Sequence, residues 1–369
     1  MTRYAVVAGG GTGGHVLLAL AVARALVEQG HDPGSIELVG SRRGQEGDLL
    51  AGEGFPLTLL PGRGIARRLD AGALLANAGA VVGLARAIRR AAALVARSRP
   101  RVVVSVGGYA SFPSDLAAVV LRIPLVLVNV DAVPGLVHRI FGRFAAASAV
   151  AFPGTPLPRA VVTGTPVRAE IAGVDRSPAA ARQARQRLGL PPDRSTVGVV
   201  GGSLGARRLN EAASGLAREW AQRADRSLYH VTGRGRGAEV APPVGGALCY
   251  RSVEFERQMA LLYQAADVMV CRAGAVTVAE LAVAGVPAVL VPLPGAPGDH
   301  QTANARALAD VGAGELLADG ACDAGGLAAR LDRLLSDPER LRSMGEAARA
   351  LGHADAARRV AEVVIGCAR

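Results

Sequence analysis

Short, β-branched apolar runs alternate along the chain with longer segments rich in alanine, leucine and arginine. That alternation marks an α/β protein, in which each strand is followed by a helix that covers the sheet. Strands are predicted at residues 4–8, 36–39, 101–105, 124–128 and 148–151, and a second series at 196–200, 227–231, 268–271 and 288–291. Several of these runs are continuously apolar rather than alternating, as parallel strands covered on both faces must be. Glycine-rich turns are expected after strands at Gly9, at Gly107-Gly108 and at Gly201-Gly202. The pattern predicts two doubly wound units with a break near Gly164-Thr165-Pro166, because proline ends whatever precedes it. The last apolar stretch, residues 355–364, reads as a helix whose domain the pattern alone does not assign.

Composition narrows the class. The chain has 369 residues, half of them hydrophobic (50%), which suits two ordinary cores and leaves no disordered tract. Aromatics are scarce at 3%, which argues against stacking platforms, so no nucleic-acid partner is expected. The formal charge is +11, and every one of the 42 basic residues is arginine. Without lysine there is no Schiff base and no Walker-type GK[ST] loop. Arginine suits bidentate phosphate contacts, although a genomic bias toward arginine explains the charge equally well. Cys249, Cys271, Cys322 and Cys367 are far apart, so neither a zinc site nor a disulfide framework is expected, and a reducing cytoplasm fits. The N-terminus runs straight into a strand, with no signal peptide expected. The longest candidate span, around residues 71–85, is interrupted by Asn77 and falls short of the ~20 apolar residues that cross a bilayer. The chain is expected to be soluble, or at most membrane-associated.

Residues 9–15 read GGGTGGH directly after the first strand. Bare backbone N–H groups at a helix start form an anion site. Gly9, Gly11 and Gly14 also fit the GxGxxG of a dinucleotide enzyme. No acidic residue follows the second strand to hold an NAD ribose, but Ser41 and Arg42 suit an NADP phosphate. Tight strand-to-helix packing is a third explanation. Two further loops, GGYAS from Gly107 and GGSLGA from Gly201, lie at predicted strand ends, where α/β folds bind ligands. One dinucleotide needs one such loop, whereas a nucleotide sugar and a second phosphorylated substrate, meeting in a cleft, need more. Farther on, CRAGAVTVAE ends a strand at Cys271 and starts a helix near Ala275 that carries Glu280. Glu280 is either an acceptor for sugar hydroxyls or a solvated glutamate on an exposed face. Residues 299–304, DHQTAN, cluster polar groups nearby.

Taken in order, GGGTGGH, GGYAS, GTPVR, GGSLGA, VEF with Met259, CRAGAVTVAE and DHQTANA closely resemble the MurG family over nearly the whole chain. The resemblance implies the GT-B fold, an α/β architecture of two Rossmann-like, doubly wound domains facing across a cleft. It implies an inverting transfer of N-acetylglucosamine from UDP-GlcNAc to lipid I, undecaprenyl-pyrophosphoryl-MurNAc-pentapeptide, forming lipid II for peptidoglycan. Residues 1–164, joined by the C-terminal helix at 353–369, would hold the acceptor and face the membrane, and residues 165–352 would hold the donor. By the same resemblance uracil pairs with backbone at Glu256 under Phe255, and Glu280 binds the ribose hydroxyls. Ser203, Arg168 and the turn Ala275-Val276-Thr277 surround the diphosphate, and Gln301 reaches the transferred sugar. Gly10, Gly11, Gly107, Gly108 and Tyr109 cradle the lipid I diphosphate, with Thr12, Gly13 and Gly14 also touching the donor sugar. His15 becomes the candidate base for the attacking hydroxyl, since an imidazole takes a proton near neutral pH. A structural helix-start histidine is the alternative.

The chain departs from the family in places. Where the family usually reads HEQN, residues 128–131 are Val-Asn-Val-Asp, so Asp131 falls where an asparagine contacts the sugar. A carboxylate accepts from hydroxyls but does not donate. Leu204 replaces an expected glutamine. These changes keep open a nucleotide-sugar-binding homologue without turnover, and behind it an NADP-dependent oxidoreductase. No DxD motif is visible, so no metal and no cofactor are expected, and helix termini with Arg168 would stabilise the leaving UDP. The resemblance also implies a peripheral enzyme on the cytoplasmic face of the cell membrane. Residues 63–99 carry Leu74, Leu75, Val81, Val82 and Ile88 near Arg67, Arg68, Arg86, Arg89 and Arg90, a combination suited to an anionic membrane surface. An ordinary amphipathic core helix explains most of the same letters.

Overall fold

The computed structural model describes residues 2–10, 13–42, 50, 52–61, 71–202, 204–237, 240 and 245–368, with side chains left out at 71–79. The chain divides into two units, one formed by Met1–Pro166 with Asp355–Arg369, the other by Val167–Ala354.

The first unit is a seven-stranded sheet in the order β3-β2-β1-β4-β5-β6-β7. Its strands are β1 (Ala5–Gly10), β2 (Ile36–Ser41), β3 (Leu57–Leu60), β4 (Val102–Gly108), β5 (Leu125–Asn129), β6 (Ala147–Val150) and β7 (Ala160–Val162). Every pairing is parallel. Among the described residues the sheet is followed by α1 (Gly13–Glu28), α2 (Ala71–Ser98), α3 (Ser111–Val120) and α4 (Leu136–Phe141). Because side chains alternate across a strand, Val7, Val104 and Val126 face one core with Leu18, Val22 and Leu26 of α1. Their neighbours Val6, Val103 and Leu125 face the other, with Ala87 and Ala91 of α2 and Ala118 of α3.

The second unit repeats the design in six parallel strands, ordered β10-β9-β8-β11-β12-β13. These are β8 (Ser195–Val200), β9 (Arg226–Val231), β10 (Cys249–Val253), β11 (Val268–Cys271), β12 (Ala288–Leu290) and β13 (Gly314–Leu316). Its helices run α5 (Ala169–Ala172), α6 (Pro178–Arg187), α7 (Arg207–Glu219), α8 (Met259–Ala265), α9 (Ala275–Ala284), α10 (His300–Ala309), α11 (Ala324–Leu335) and α12 (Pro338–Leu351). The last helix, α13 (Ala356–Cys367), returns to the first unit, where Val360, Ala361 and Val364 join the α1 core. Each sheet reverses its winding once, between β1 and β4 and between β8 and β11. A doubly wound sheet opens its ligand crevice at that point.

Two expectations are corrected. Gly9 and Gly10 do not follow the first strand as a turn; they end β1 and pair with Gly107 and Gly108, which end β4. A Cβ on Gly9 would collide with the Val106 side chain, and one on Gly108 with the Gly10 carbonyl. Close strand packing therefore demands these glycines whatever they bind. The four strands β3, β7, β10 and β13 were not expected. Residues 71–85, weighed as a candidate span, belong to α2, and among the described residues no helix is long and apolar enough to cross a membrane.

Candidate functional site

In the first unit the switch point is lined by the ends of β1 and β4. The chain enters α1 at Gly13, places exposed Gly14 and half-buried His15 in its first turn, and then buries Val16 in the core. Gly107 takes φ +91° directly opposite, a conformation that suits glycine. A Cβ there would lie 3.4 Å from His15 Nε2 and 3.4 Å from Cε1 of His138 on α4. The structure therefore brings two imidazoles to one point above β4. Tyr109, next along, donates from its hydroxyl to the Pro61 carbonyl at 3.3 Å. Gly11 and Thr12 lie outside the described residues, as does Ser203 in the other unit.

His138 is the residue the sequence reasoning missed. It is 4% exposed and sits in a line of buried polar groups. Its Nδ1 is 3.1 Å from Asn129 Oδ1, and its Nε2 is 3.4 Å from Ser105 Oγ. Ser105 Oγ in turn lies 2.7 Å from Asp115 Oδ2. Asn129 Nδ2 donates to the carbonyl of Asp131 at 2.6 Å, so this line fixes the backbone of a proposed sugar contact. Burial, and then the nearby His15, push the His138 imidazole down to about 4. Burial pushes the Asp115 carboxyl well up, against its hydrogen bond with Ser105. The available signal was one polar letter inside each apolar strand, Ser105 in VVVSV and Asn129 in LVLVN.

In the second unit, β8 ends beside Gly201-Gly202 and β11 leads through Gly274 into α9. No side chain caps α9, which leaves the N–H groups of Ala275, Val276 and Thr277 for another acceptor. Glu280, one turn on, is 7% exposed, so the solvated-glutamate reading falls. Arg168 donates to its Oε1 from Nε and Nη2 at 3.3 and 3.2 Å, and Tyr263 donates to its Oε2 at 2.9 Å. Burial pushes the Glu280 carboxyl up, and Arg168 pulls it part of the way back. A buried carboxylate with an arginine partner can receive hydroxyls, and Arg168 remains exposed enough to reach an anion.

Farther along, Glu256 has its side chain occupied, by Tyr229 OH on Oε2 and by the Gln258 N–H on Oε1 at 2.6 Å, which holds the local backbone still. Phe255 is exposed and carries the Arg234 guanidinium 4.4 Å above its ring. Gln301 accepts from the Leu293 N–H through Oε1 at 2.9 Å, leaving its amide group for a ligand. Leu204 is exposed.

Comparison with known proteins fits this architecture. Residues 5–150 match the glycosyltransferase family 28 N-terminal domain and residues 196–360 its C-terminal domain. A UDP-N-acetylglucosamine–N-acetylmuramyl-(pentapeptide) pyrophosphoryl-undecaprenol N-acetylglucosamine transferase of Nocardioides sp. is 42% identical, over 98% of this chain and 97% of its own. A protein of the same name from Rhodococcus opacus is 39% identical, over 100% and 97%. The crystal structure of Acinetobacter baumannii MurG superposes with a TM-score of 0.79 at 29% identity, covering 99% of this chain and 100% of that one. With two Rossmann-like units of GT-B type and relatives of one name matched along nearly its full length, the chain belongs to the MurG family of UDP-GlcNAc glycosyltransferases.

Proposed function

We propose that the chain moves N-acetylglucosamine from UDP-GlcNAc to the muramyl hydroxyl of lipid I, with the donor on the second unit and the acceptor on the first. The observation that carries the assignment is that each sheet presents its family motifs at its own switch point. Uracil stacks on Phe255 and pairs with backbone at Glu256, the ribose hydroxyls donate to Glu280, and the diphosphate meets Arg168 and the start of α9. Gln301 and Asp131 hold the sugar. Gly10, Gly107, Gly108 and Tyr109 receive the acceptor diphosphate, beside Gly13 and Gly14.

His15 serves as the base. Its first-turn position puts an imidazole next to backbone N–H groups that favour the anionic substrate. His15→Ala is expected to slow single-turnover transfer by ~10²–10⁴-fold while UDP affinity stays near wild type. Asp131→Ala should weaken UDP-GlcNAc relative to UDP, and Asp131→Asn should keep activity. Normal turnover of His15→Ala would remove the base assignment.

The enzyme is placed peripherally on the cytoplasmic face of the membrane. Besides exposed Val81 and Val82 of α2, the first unit exposes Val120, Leu121, Leu136, Ile140 and Phe144. Phe144 lines a cavity of about 630 Å³ together with Arg122, Arg143 and Arg159. Exposed apolar side chains, with Phe144 beside three arginines, suit an anionic lipid surface.

A further inference from the structure

The line of polar groups behind His15 has a direction. The Asp131 carbonyl can only accept, so Asn129 must turn its Nδ2 toward it and its Oδ1 toward His138. Oδ1 can only accept, so His138 must carry its proton on Nδ1. In a neutral ring Nε2 then accepts, and the donor beside it is the Ser105 hydroxyl. Two arrangements of that proton fit: with an ionised Asp115 the Ser105 hydroxyl donates to its Oδ2 across the 2.7 Å contact, whereas with a protonated Asp115 the carboxyl donates and the Ser105 proton is left for His138. Two observations favour the second. Asp115 is fully buried, and its Oδ1 has no hydrogen-bond partner, a state costly for a carboxylate and tolerable for a carboxylic acid. No arginine lies in the line to balance two buried charges. The groups facing His138 are His15 from α1, Ser105 from β4, Asp115 from α3 and Asn129 from β5, while Arg139 on its own helix points to solvent.

We propose that His138 is a positioning residue for the transfer: locked as its Nδ1–H tautomer between Asn129 and the Ser105–Asp115 pair, it backs the His15 imidazole above Gly107. Because its neighbour takes no proton, His15 keeps its ability to take one from the acceptor hydroxyl. A cation at His138 would oppose that proton at short range in a poorly solvated site. The same line ends on the carbonyl of Asp131, so one rigid element sets both the base and the sugar-binding turn. This inference rests on His15 acting as the base.

The test combines a spectrum with rates. In protein labelled with 15N-histidine, assigned by His138→Gln, the His138 ring is expected to show a protonated Nδ1 and a bare Nε2 at pH 7 and to stay so down to pH 5. A protonated Nε2, in either a neutral or a charged ring, would overturn the proposal. In single-turnover transfer His138→Phe, which fills the space without hydrogen bonds, is expected to lose about 10–100-fold with UDP affinity unchanged. Asp115→Ala should lose rate, and Asp115→Asn, which keeps a neutral donor toward Ser105, should recover most of it. If Asp115→Asn is as slow as Asp115→Ala, an ionised carboxylate is at work and the proposal fails. A slow His15→Ala beside a normal His138→Phe overturns the positioning role alone. A normal His15→Ala overturns the base assignment and this inference together.

Discussion

Glu280 offers the sharpest quantitative test of the donor site. Its Oε2 accepts from Tyr263, and its Oε1 already accepts two N–H groups from Arg168. Two carboxylate oxygens offer about four lone-pair directions, so roughly one is open for a ribose hydroxyl before Arg168 moves. Replacing Glu280 by Gln keeps the shape and removes the charge. A hydrogen bond to a charged group contributes about 1.5–3 kcal/mol. The open direction is on Oε2, so a second ribose hydroxyl must share Oε1 with Arg168, whose side chain is 41% exposed and therefore partly screened, which points to the lower half of that range. A loss of about 1.5–2 kcal/mol corresponds to UDP binding ~10–30-fold more weakly. Calorimetric titration with UDP and with 2′,3′-dideoxy-UDP separates the causes. The dideoxy nucleotide has no hydroxyls to lose, so its affinity should be the same for wild type and Glu280→Gln. Equal weakening of both nucleotides would show that Glu280 acts through the fold of α9 or through Arg168, and would refute the ribose assignment.

Other consequences follow from the same geometry. His230 is buried, with Nε2 3.0 Å from Asn210 Oδ1 and Nδ1 2.9 Å from Tyr250 OH, and burial pushes it down to about 4. The unfolded chain takes up a proton near pH 6.5 that the folded chain refuses, so as pH drops from about 6.5 to 4 His230 should lower stability by up to ~3 kcal/mol, beside the like share of His138. Urea midpoints across that range check it, and a His230→Gln variant with the same slope would contradict it. At the proposed membrane surface, replacing Arg122 and Arg143 by Ser should reduce sedimentation with anionic vesicles, and wild-type binding should weaken with salt. Sedimentation unchanged in both experiments would return these side chains to ordinary surface.

The sequence was most legible where burial is most severe. β1, β5 and β11 are buried along their whole length, so their letters are nearly all apolar and their positions were found within a residue or two. β3, β7, β10 and β13 were missed. β3, β7 and β10 are partly or wholly exposed and β13 is a three-residue strand, and edge strands bond on one side only, so none needs a continuous apolar run. At the site, loops with a fixed motif were legible, because a positive φ restricts the letters at Gly107 and Gly202. The Asp115–Ser105–His138–Asn129 line was not, because its members come from four separate elements that only the folded sheet brings together. Glu280 was ambiguous for a related reason. Nothing in its own helix announces that Arg168, 112 positions away, will reach it.

The most direct measurement of the central claim is transfer itself. Purified protein is mixed with labelled UDP-GlcNAc and a soluble lipid I analogue, and the products are separated. The labelled sugar is expected to appear on the muramyl unit with inverted anomeric configuration, in step with release of UDP. UDP-GlcNAc binding without any transfer, or binding of NADPH in its place, would contradict it.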